Sequence, residues 1–526
     1  MRQRIIGYSL IFALLMIFLG GCAAASTSAD QTTYWPAHDW RTSTPEEQGL
    51  DSTLLLSMLR EIQNKNLPIH SLLIIRHGYL VTEVYFPPYQ RELKHPLFSI
   101  TKSVTSALVG KALQEGRLKD IQQKVLDFFP DIAREATDPR VKDLTLQHLL
   151  TMSAGFNTTT MPDLSSKAAA DGTIKHILTY NSILENPGTS FHYDSGLPHL
   201  LSAVIQKATG LTLQEYAQEK LFDPLGISNT SWAADPQGVT LGNTGLMLRA
   251  SDMAKLGYLY LHHGKWNGNQ VLPEEWVTAS TRKQMETKGL MNAAEDDGYG
   301  YLWWMDNWGG YSAHGFGGQY IFVFPAQDMV VVFTSGLPDP IFPTPHELVK
   351  SYLLPAVRSD GPLAANPSAV QSLTNTIQAI QQPDRLVAAL PDIARRISGK
   401  TYLITDQKPA GAWWQSVMFT FDDGPTYQST TEWPGYQPVV IEGGLNNVFR
   451  YTRIEVTTTL PSLNVLVALR GHWQDDHTFV EEFIGDMNSE IAVMTQKSTF
   501  DGNHISMELT SDMLPFPFKA EGEMEP

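Results

Sequence analysis

Two pairs of strand-like runs, far apart in the chain, constrain its fold more than any other feature. The first, SLLIIRHGYLVTEVYF (Ser71–Phe86), reads as two strands joined at His77-Gly78, with β-branched and aromatic residues on both flanks. The second, QYIFVFP and MVVVFTSG (Gln319–Pro325 and Met329–Gly336), reads as a hairpin turning through Ala326-Gln327-Asp328. Between them, from Val125 to about Leu248, the pattern is helical and loop-rich with few strand signals. Apolar strands need partners. The two ends therefore predict one antiparallel sheet assembled from both, flanked by helices, with a helical lobe (about 117–250) inserted and a cleft at the seam. The expected class is α+β.

The clearest helical pieces are LTLQHLLTMSAGF, GLPHLLSAVIQKATG, closed by Gly210, and GLMLRASDMAKLGYLYLHHG (Gly245–Gly264), opened by a Ser-Asp cap. At 526 residues the chain exceeds one usual core. PAVRSDGPLAANP (Pro355–Pro367) has linker composition, and helices over about Ser368–Gln381 and Asp384–Ile397 are expected after it. From Ser398 onward short alternating runs separated by turn residues predict seven or eight strands in an antiparallel barrel or sandwich. The expected organisation is a main domain at 46–354, a linker with bridging helices at 355–397, and an all-β domain at 398–526.

MRQR followed by IIGYSLIFALLMIFLGG is a basic segment and an apolar run, the pattern of an export signal over 1–22. It ends in Leu19-Gly20-Gly21-Cys22, which resembles a bacterial lipobox, where the cysteine is lipidated. A single membrane-spanning anchor is the other reading of the same run. Cys22 is the chain's one cysteine, so no intrachain disulfide can form. Residues 23–45 read as a flexible tether. The net charge of −17 argues against nucleic acid or anionic membrane surfaces as partners. The expectation is an exported protein of the cell envelope, held to a membrane by a lipid on Cys22.

HPLFSITKSVTSALVG (His95–Gly110) sets Ser99 and Lys102 three residues apart at the front of an apolar run. On a helix the two share a face, so the lysine can direct its amine at the hydroxyl. A serine hydroxyl is a poor nucleophile without such a partner. If Ser99 opens the helix, its own N–H is also available to an oxyanion. The spacing alone fits a structural helix with a lysine snorkelling out equally well, and the chain carries a second copy at Ser280 and Lys283, read as chance in a charged stretch. In NPGTSFHYDSGLPHLL, Tyr193 falls between a turn and a helix, where a side chain can enter a cleft. It can equally be packed at the helix start. In AHGFGGQYIFV (Ala313–Val323), Gly315, Gly317 and Gly318 precede a strand and allow backbone to approach a ligand closely. The same residues also make a plain glycine turn.

Taken in order, S-x-x-K, a tyrosine turn and a His/Gly motif before a strand resemble the serine β-lactamase and penicillin-binding-protein superfamily. More narrowly they are similar to the β-lactamase-related serine hydrolases, which include esterases, D-aminopeptidases and 6-aminohexanoate-dimer hydrolases. LLIIRHGYLVTEVYF, LTLQHLLTMSAGF, LMLRASDMAKLGYLYLHHGKWNGNQVLPEEW and GYGYLWW share the likeness, which covers about Glu46 to Leu354. The resemblance implies Ser99 as acylated nucleophile, Lys102 as its activating partner and Tyr193 as proton shuttle. The oxyanion would be held by the Ser99 N–H and one N–H on the strand after the glycines, near Gly317, Gly318 and Gln319. Two departures stand out. Ser195 occupies the place where relatives often have asparagine, and is expected to bond substrate or Lys102. The third motif is His314-Gly315-Phe316-Gly317-Gly318 rather than Lys-Thr-Gly, so either His314 takes the lysine's place or the glycines alone line the strand. Both departures favour a small ester or linear amide as substrate over penicillins and D-Ala-D-Ala peptides. A D-alanyl-D-alanine peptidase, a β-lactamase and a non-catalytic binding lipoprotein are the alternatives. The same resemblance makes His148 a helix-packing residue, leaves Tyr301–Trp308 either rimming the cleft or packed in the sheet, and likens the C-terminal β-domain to lipocalin-like tails. No cluster with metal spacing and no phosphate loop is evident in the sequence, so neither cofactor nor metal is expected.

Overall fold

The computed structural model describes residues 34–526 apart from 37–38, 137, 157–159, 181, 288–295, 339–342, 383–385, 410–413, 435–436, 457–462, 488–490, 512–513 and 515. The expected export segment and Cys22 lie outside the described residues.

After helix α1 (Ser52–Asn64), opened by Asp51 accepting from the Thr53 N–H, strands β1 (Ile69–Arg76) and β2 (Tyr79–Tyr85) form the first hairpin. Helix α2 (Ile100–Gln114) follows, then the helical lobe with its longest helix α3 (Gly196–Thr209), then α4 (Ala250–Leu261). Strands β3 (Asp296–Tyr299), β4 (Trp304–Asp306), β5 (Tyr311–Gly315), β6 (Gln319–Phe324) and β7 (Met329–Ser335) complete one antiparallel sheet in the order β2-β1-β7-β6-β5-β4-β3. The sheet is built from both ends of the domain, as the spacing of the runs predicts, and β1 meets β7 with Leu72 opposite Phe333.

Every residue of β6 and β7 is buried, so both faces of the sheet are covered. Period-two alternation divides the work. Tyr320, Phe322, Phe324, Val331 and Phe333 join the core with Leu55, Leu59 and Ile62 of α1. On the opposite face α4 lies so close at Gly257 that a Cβ there would sit 2.6 Å from Val330 and 2.8 Å from Ile321. The residue opening α4 is Arg249, not the expected Ser-Asp cap. Asp252 lies inside the first turn, bonded to Arg249 at 2.8 Å and paired with Lys255 at 3.3 Å.

Helix α5 (Thr344–Leu348) closes this part, and α6 (Pro367–Gln381) adds Leu373 and Ile380 to the core under the sheet. The next helix, α7, spans Asp392–Ile397 only, shorter than expected, because Pro391 precedes it and disfavours helical backbone at the residue before it.

Among the described residues the C-terminal part has ten strands: β8 (Lys400–Lys408), β9 (Ser416–Phe421), β10 (Thr426–Glu432), β11 (Val439–Gly444), β12 (Arg450–Val456), β13 (Leu463–Trp473), β14 (Thr478–Ile484), β15 (Met494–Asp501), β16 (His504–Thr510) and β17 (Phe518–Met524). A bridge between Gly444 of β11 and Arg470 of β13 closes nine of them into a barrel, and β12 pairs along the outer flank of β13. The expectation of seven or eight strands falls short. KTYLITDQK, TYQSTTE and FKAEGEM are too polar to read as strands: the first is exposed over much of its length, and the other two bury only Tyr427, Ser429, Ala520 and Gly522. The barrel also touches the first domain's chain. Tyr89 and Leu93 pack with Phe449, Leu466, Ala468, Ile484 and Met487, and the Tyr451 hydroxyl donates to the Pro88 carbonyl.

Among the described residues one carboxyl is buried in the barrel. Glu481, on β14, accepts from the Tyr427 hydroxyl and from Gln496 Nε2, both at 2.9 Å, and burial pushes it up to about 7. A carboxyl with a raised folded-state value stabilises below its unfolded value and loses that contribution as pH rises toward the folded one. The protein should therefore lose on the order of 3 kcal/mol between about pH 4.5 and 7 through this one group. Glu481→Gln should flatten that slope and melt above the wild type at pH 8, whereas parallel melting profiles from pH 4.5 to 8 would contradict it.

Candidate active site

Ser99 stands at the opening of α2 with no capping bond from its side chain, so the hydroxyl is not spent on the helix. Lys102, one turn on, is 2% exposed, and its Nζ donates to Ser99 Oγ at 2.7 Å. A second bond runs to the Asn243 carbonyl at 3.1 Å, and the ammonium lies 4.9 Å from the centre of the Tyr193 ring. The sequence-predicted trio is thus brought together, and the lysine does not snorkel out.

Helix α2 has no solvent face over Ile100–Gly110. Its polar side chains are used to grip neighbours: Ser103 Oγ donates to the Leu302 carbonyl at 2.6 Å and Thr105 Oγ1 to the Gly242 carbonyl at 2.8 Å. Both bonds hold loops that line the site. Just ahead of Ser99, Phe98 adopts φ 46°, a left-handed conformation that costs a side chain about 1–3 kcal/mol. That kink turns the incoming segment, paired through His95 and Pro96 with Leu248 and Met247, into the helix.

Tyr193 is half-buried and stacks on Trp304, ring centres 5.9 Å apart. The turn that carries it is pinned by Asp194, whose Oδ1 accepts from the Thr160 N–H at 2.9 Å, the Thr160 hydroxyl at 3.1 Å and the Gly196 N–H at 2.8 Å. Trp304 comes from the YLWW stretch, which therefore serves both readings, Trp303 in the core and Trp304 at the site.

Ser195 opens α3 without a cap bond, and it does not reach Lys102, whose oxygen partners are Ser99 and Asn243. The Asn243 carbonyl fills the role expected of Ser195 toward the lysine. Asn243 is 6% exposed and its Oδ1 has no hydrogen-bond partner among the described residues. Sequence reasoning misses Asn243 because a carbonyl contact leaves no trace in residue type.

In the third motif a glycine, Gly315, and not His314 lies beside the nucleophile. His314 is buried, with Nε2 on Ser312 Oγ at 2.8 Å, and burial with His346 beside it holds the imidazole well below its ordinary value. It is not a cation standing in for a lysine. Gly317 and Gly318 face the interior, where added Cβ atoms would meet Ile491 at 2.2 Å and Leu337 at 2.6 Å. The Gln319 side chain is committed to the hairpin, donating to the Phe316 and Ser335 carbonyls and accepting from the Ser335 N–H. Gly315 is the glycine at the nucleophile: a Cβ there would lie 2.4 Å from the Leu97 carbonyl oxygen, two residues before Ser99. Beyond the pair Ser312–Trp304, β5 is unpaired on its β4 side among the described residues, which leaves the strand edge beside Ser99 open.

The other marked residues are structural. His148 forms a capping box with Thr145, receiving the Thr145 N–H on Nδ1 at 3.2 Å. Ser280 is buried at the end of its helix rather than on a solvated surface, and Lys283 pairs with Glu286 and Asp297 instead of facing it.

With this geometry in place, residues 57–349 match the family model described as Beta-lactamase, and the chain belongs to that family. It is 26% identical over 308 residues to a 6-aminohexanoate-dimer hydrolase of Paenarthrobacter ureafaciens, covering 55% of this chain and 77% of that protein. A lovastatin esterase of Penicillium rubens is 28% identical over 156 residues, 26% of this chain and 39% of that one. Among solved structures, an octameric penicillin-binding protein homologue from Pyrococcus abyssi aligns with TM-score 0.46 and 16% identity over 89% of this chain and 99% of that chain.

Gly315→Ala should cost about 1–3 kcal/mol, because the Leu97 carbonyl cannot retreat without moving the turn into α2. Gly424→Ala, where nothing lies within 4 Å, should leave the denaturation midpoint unchanged and serves as the control. Equal midpoints for the two variants would show that Gly315 is not the close approach described.

Proposed function

We propose that this protein is a serine hydrolase that cleaves a small ester or linear amide through an acyl-enzyme on Ser99. The observation that carries the reading is the 2.7 Å contact between a buried lysine amine and a serine hydroxyl with no other duty. With the proton on oxygen, that contact becomes Ser99 O–H to Nζ, and the amine takes the proton as Oγ attacks the substrate carbonyl. The tetrahedral oxyanion is met by the Ser99 N–H at the helix opening and by an N–H of the open β5 edge. Collapse of the intermediate expels an alcohol or amine, which takes its proton through the Tyr193 hydroxyl. Water, activated through the same tyrosine and lysine, then releases the acid and restores Ser99.

Substrate preference is supported by what surrounds the nucleophile. An apolar pocket of about 440 Å³, lined by Pro96, Phe98, Trp232, Ala233, Thr244 and Met247, shares Phe98 and the residue after Asn243 with the site. It suits a hydrocarbon portion of substrate. The third motif has no lysine, and His314 turns its Nε2 to Ser312 Oγ, so neither offers a side-chain cation to a substrate carboxylate, which weighs against penicillins. The esterase and dimer-hydrolase names of the relatives point the same way.

The same reading places the enzyme outside the cytoplasm, tethered by a lipid on Cys22, on the strength of Leu19-Gly20-Gly21-Cys22 after an apolar run. Growth with an alkyne fatty acid should label the wild type and leave Cys22→Ala unlabelled. Label on both would remove the anchor from the proposal.

On p-nitrophenyl esters, Ser99→Ala should abolish turnover and Lys102→Met should lower kcat by about 10²–10⁴-fold. Ala233→Trp, which fills the pocket, should shift kcat/KM from hexanoate toward acetate by about ten-fold or more. An unchanged chain-length preference would detach the pocket from the substrate. Benzylpenicillin should not acylate Ser99, and a stable adduct would move the reading to a D-alanyl-D-alanine peptidase.

A further inference from the structure

Behind Trp304 lies a second cluster that the hydrolytic site does not use. Asp306 at the end of β4, His314 on β5 and His346 on α5 each turn one ligand atom to a common point, the three atoms lying within 4.8 Å of one another. All three residues are buried, His346 at 1% exposure. The Asp306 Oδ1 to His346 Nε2 distance is 3.5 Å, and the two imidazole rings stand 5.0 Å apart at 82°. Ser312 Oγ sits between the remaining atoms, donating to Asp306 Oδ2 at 3.0 Å and meeting His314 Nε2 at 2.8 Å.

The polar accounting of this cluster does not close. Asp306 Oδ1 and both ring nitrogens of His346 are buried without a hydrogen-bond partner among the described residues. Trp308, Tyr320 and Phe322 pack around the His346 ring within 5.7 Å between centres. Buried polar atoms left unmatched are uncommon, and each calls for a partner. One cation would satisfy the carboxylate and both imidazoles together. Two imidazoles and a carboxylate are the donor set of zinc and its first-row neighbours rather than of magnesium or calcium. Metal–ligand bonds of about 2.0–2.2 Å place neighbouring donors of a tetrahedral ion about 3.4 Å apart. The Asp306–His346 separation of 3.5 Å is close to that value, and the His314 donor lies within 4.8 Å of both.

We propose that Asp306, His314 and His346 bind one divalent first-row transition-metal ion, zinc by preference, with Ser312 Oγ or a water completing the tetrahedron. The ion is structural. It clamps β4 and β5 to α5, and Trp304, whose indole is 5.2 Å from the His314 ring and 5.9 Å from that of Tyr193, stands between it and the hydrolytic site. The spacing of the ligands along the chain, unlike the close pairs of metal-binding loops, hides the set from sequence inspection. The proposal does not depend on the hydrolytic reading, because its test measures metal rather than turnover.

The full chain, purified without a histidine tag, is stripped with a chelator, equilibrated with Zn²⁺, desalted and analysed for metal beside the double variant Asp306→Asn/His346→Gln. About one zinc per chain in the wild type, and about a tenth of that or less in the variant, is the expected result. The half-buried His504, which pairs with Glu521 and Glu523 at 2.9 Å, is untouched in the variant and controls for uptake elsewhere. No retained zinc in the wild type, or equal zinc in both proteins, overturns the proposal. If the variant does not fold, cobalt(II) loaded into the wild type decides: strong tetrahedral-type visible bands support the site, and weak octahedral-type bands or none overturn it.

Discussion

Burial of one lysine amine organises the catalytic half of this protein. An ammonium out of water is unfavourable unless its donors are matched, and around Lys102 the matching groups come from three separate parts of the chain. Ser99 offers its hydroxyl, the loop at Asn243 its carbonyl and the turn at Tyr193 its ring face. Each of those parts is in turn fastened to α2 or its neighbours: Thr105 holds Gly242, Asp194 pins the tyrosine turn and Ser103 holds the segment leading to Trp304. A helix of this composition would be an odd choice for a purely apolar core. Its hydroxyls make sense as fasteners for the loops that complete the lysine's environment.

The sheet supplies the opposite wall. Gly315 brings β5 against the Leu97 carbonyl, so the open strand edge and the helix opening face one another across the space where a carbonyl would bind. Gly317 and Gly318, by contrast, make room on the far side for Ile491 from the barrel's loop and for Leu337. The glycine-rich stretch therefore does two jobs, one toward the nucleophile and one toward the C-terminal barrel. Through Tyr89, Leu93 and Ile491 the barrel is packed onto the same sheet that builds the site, which makes it a part of the scaffold as well as a separate core.

How much of this is legible in the sequence differs by kind of interaction. Strands that are buried on both faces, such as MVVVFTS, announce themselves, and so does the Ser99–Lys102 spacing, because a helix turns i and i+3 to one side. The barrel strands KTYLITDQK, TYQSTTE and FKAEGEM escape notice because their ladders are made by backbone while few of their side chains are both apolar and buried. Position in a motif suggests a Ser195–Lys102 bond and a lysine-like His314, and the fold makes neither. A carbonyl from Asn243 serves Lys102, and His314 belongs to a buried network with Ser312. Contacts made by backbone, and side chains whose facing is set by a remote helix such as α5, leave no periodic signature to read.

The account stands or falls on whether Lys102 makes Ser99 a nucleophile. The most direct measurement is intact mass after exposure to a fluorophosphonate, with time courses for the wild type, Ser99→Ala and Lys102→Met, each first shown to be folded. A single adduct on the wild type, none on Ser99→Ala and strongly slowed labelling of Lys102→Met is the predicted result. Labelling of Lys102→Met at the wild-type rate, or no adduct on the folded wild type, would contradict it.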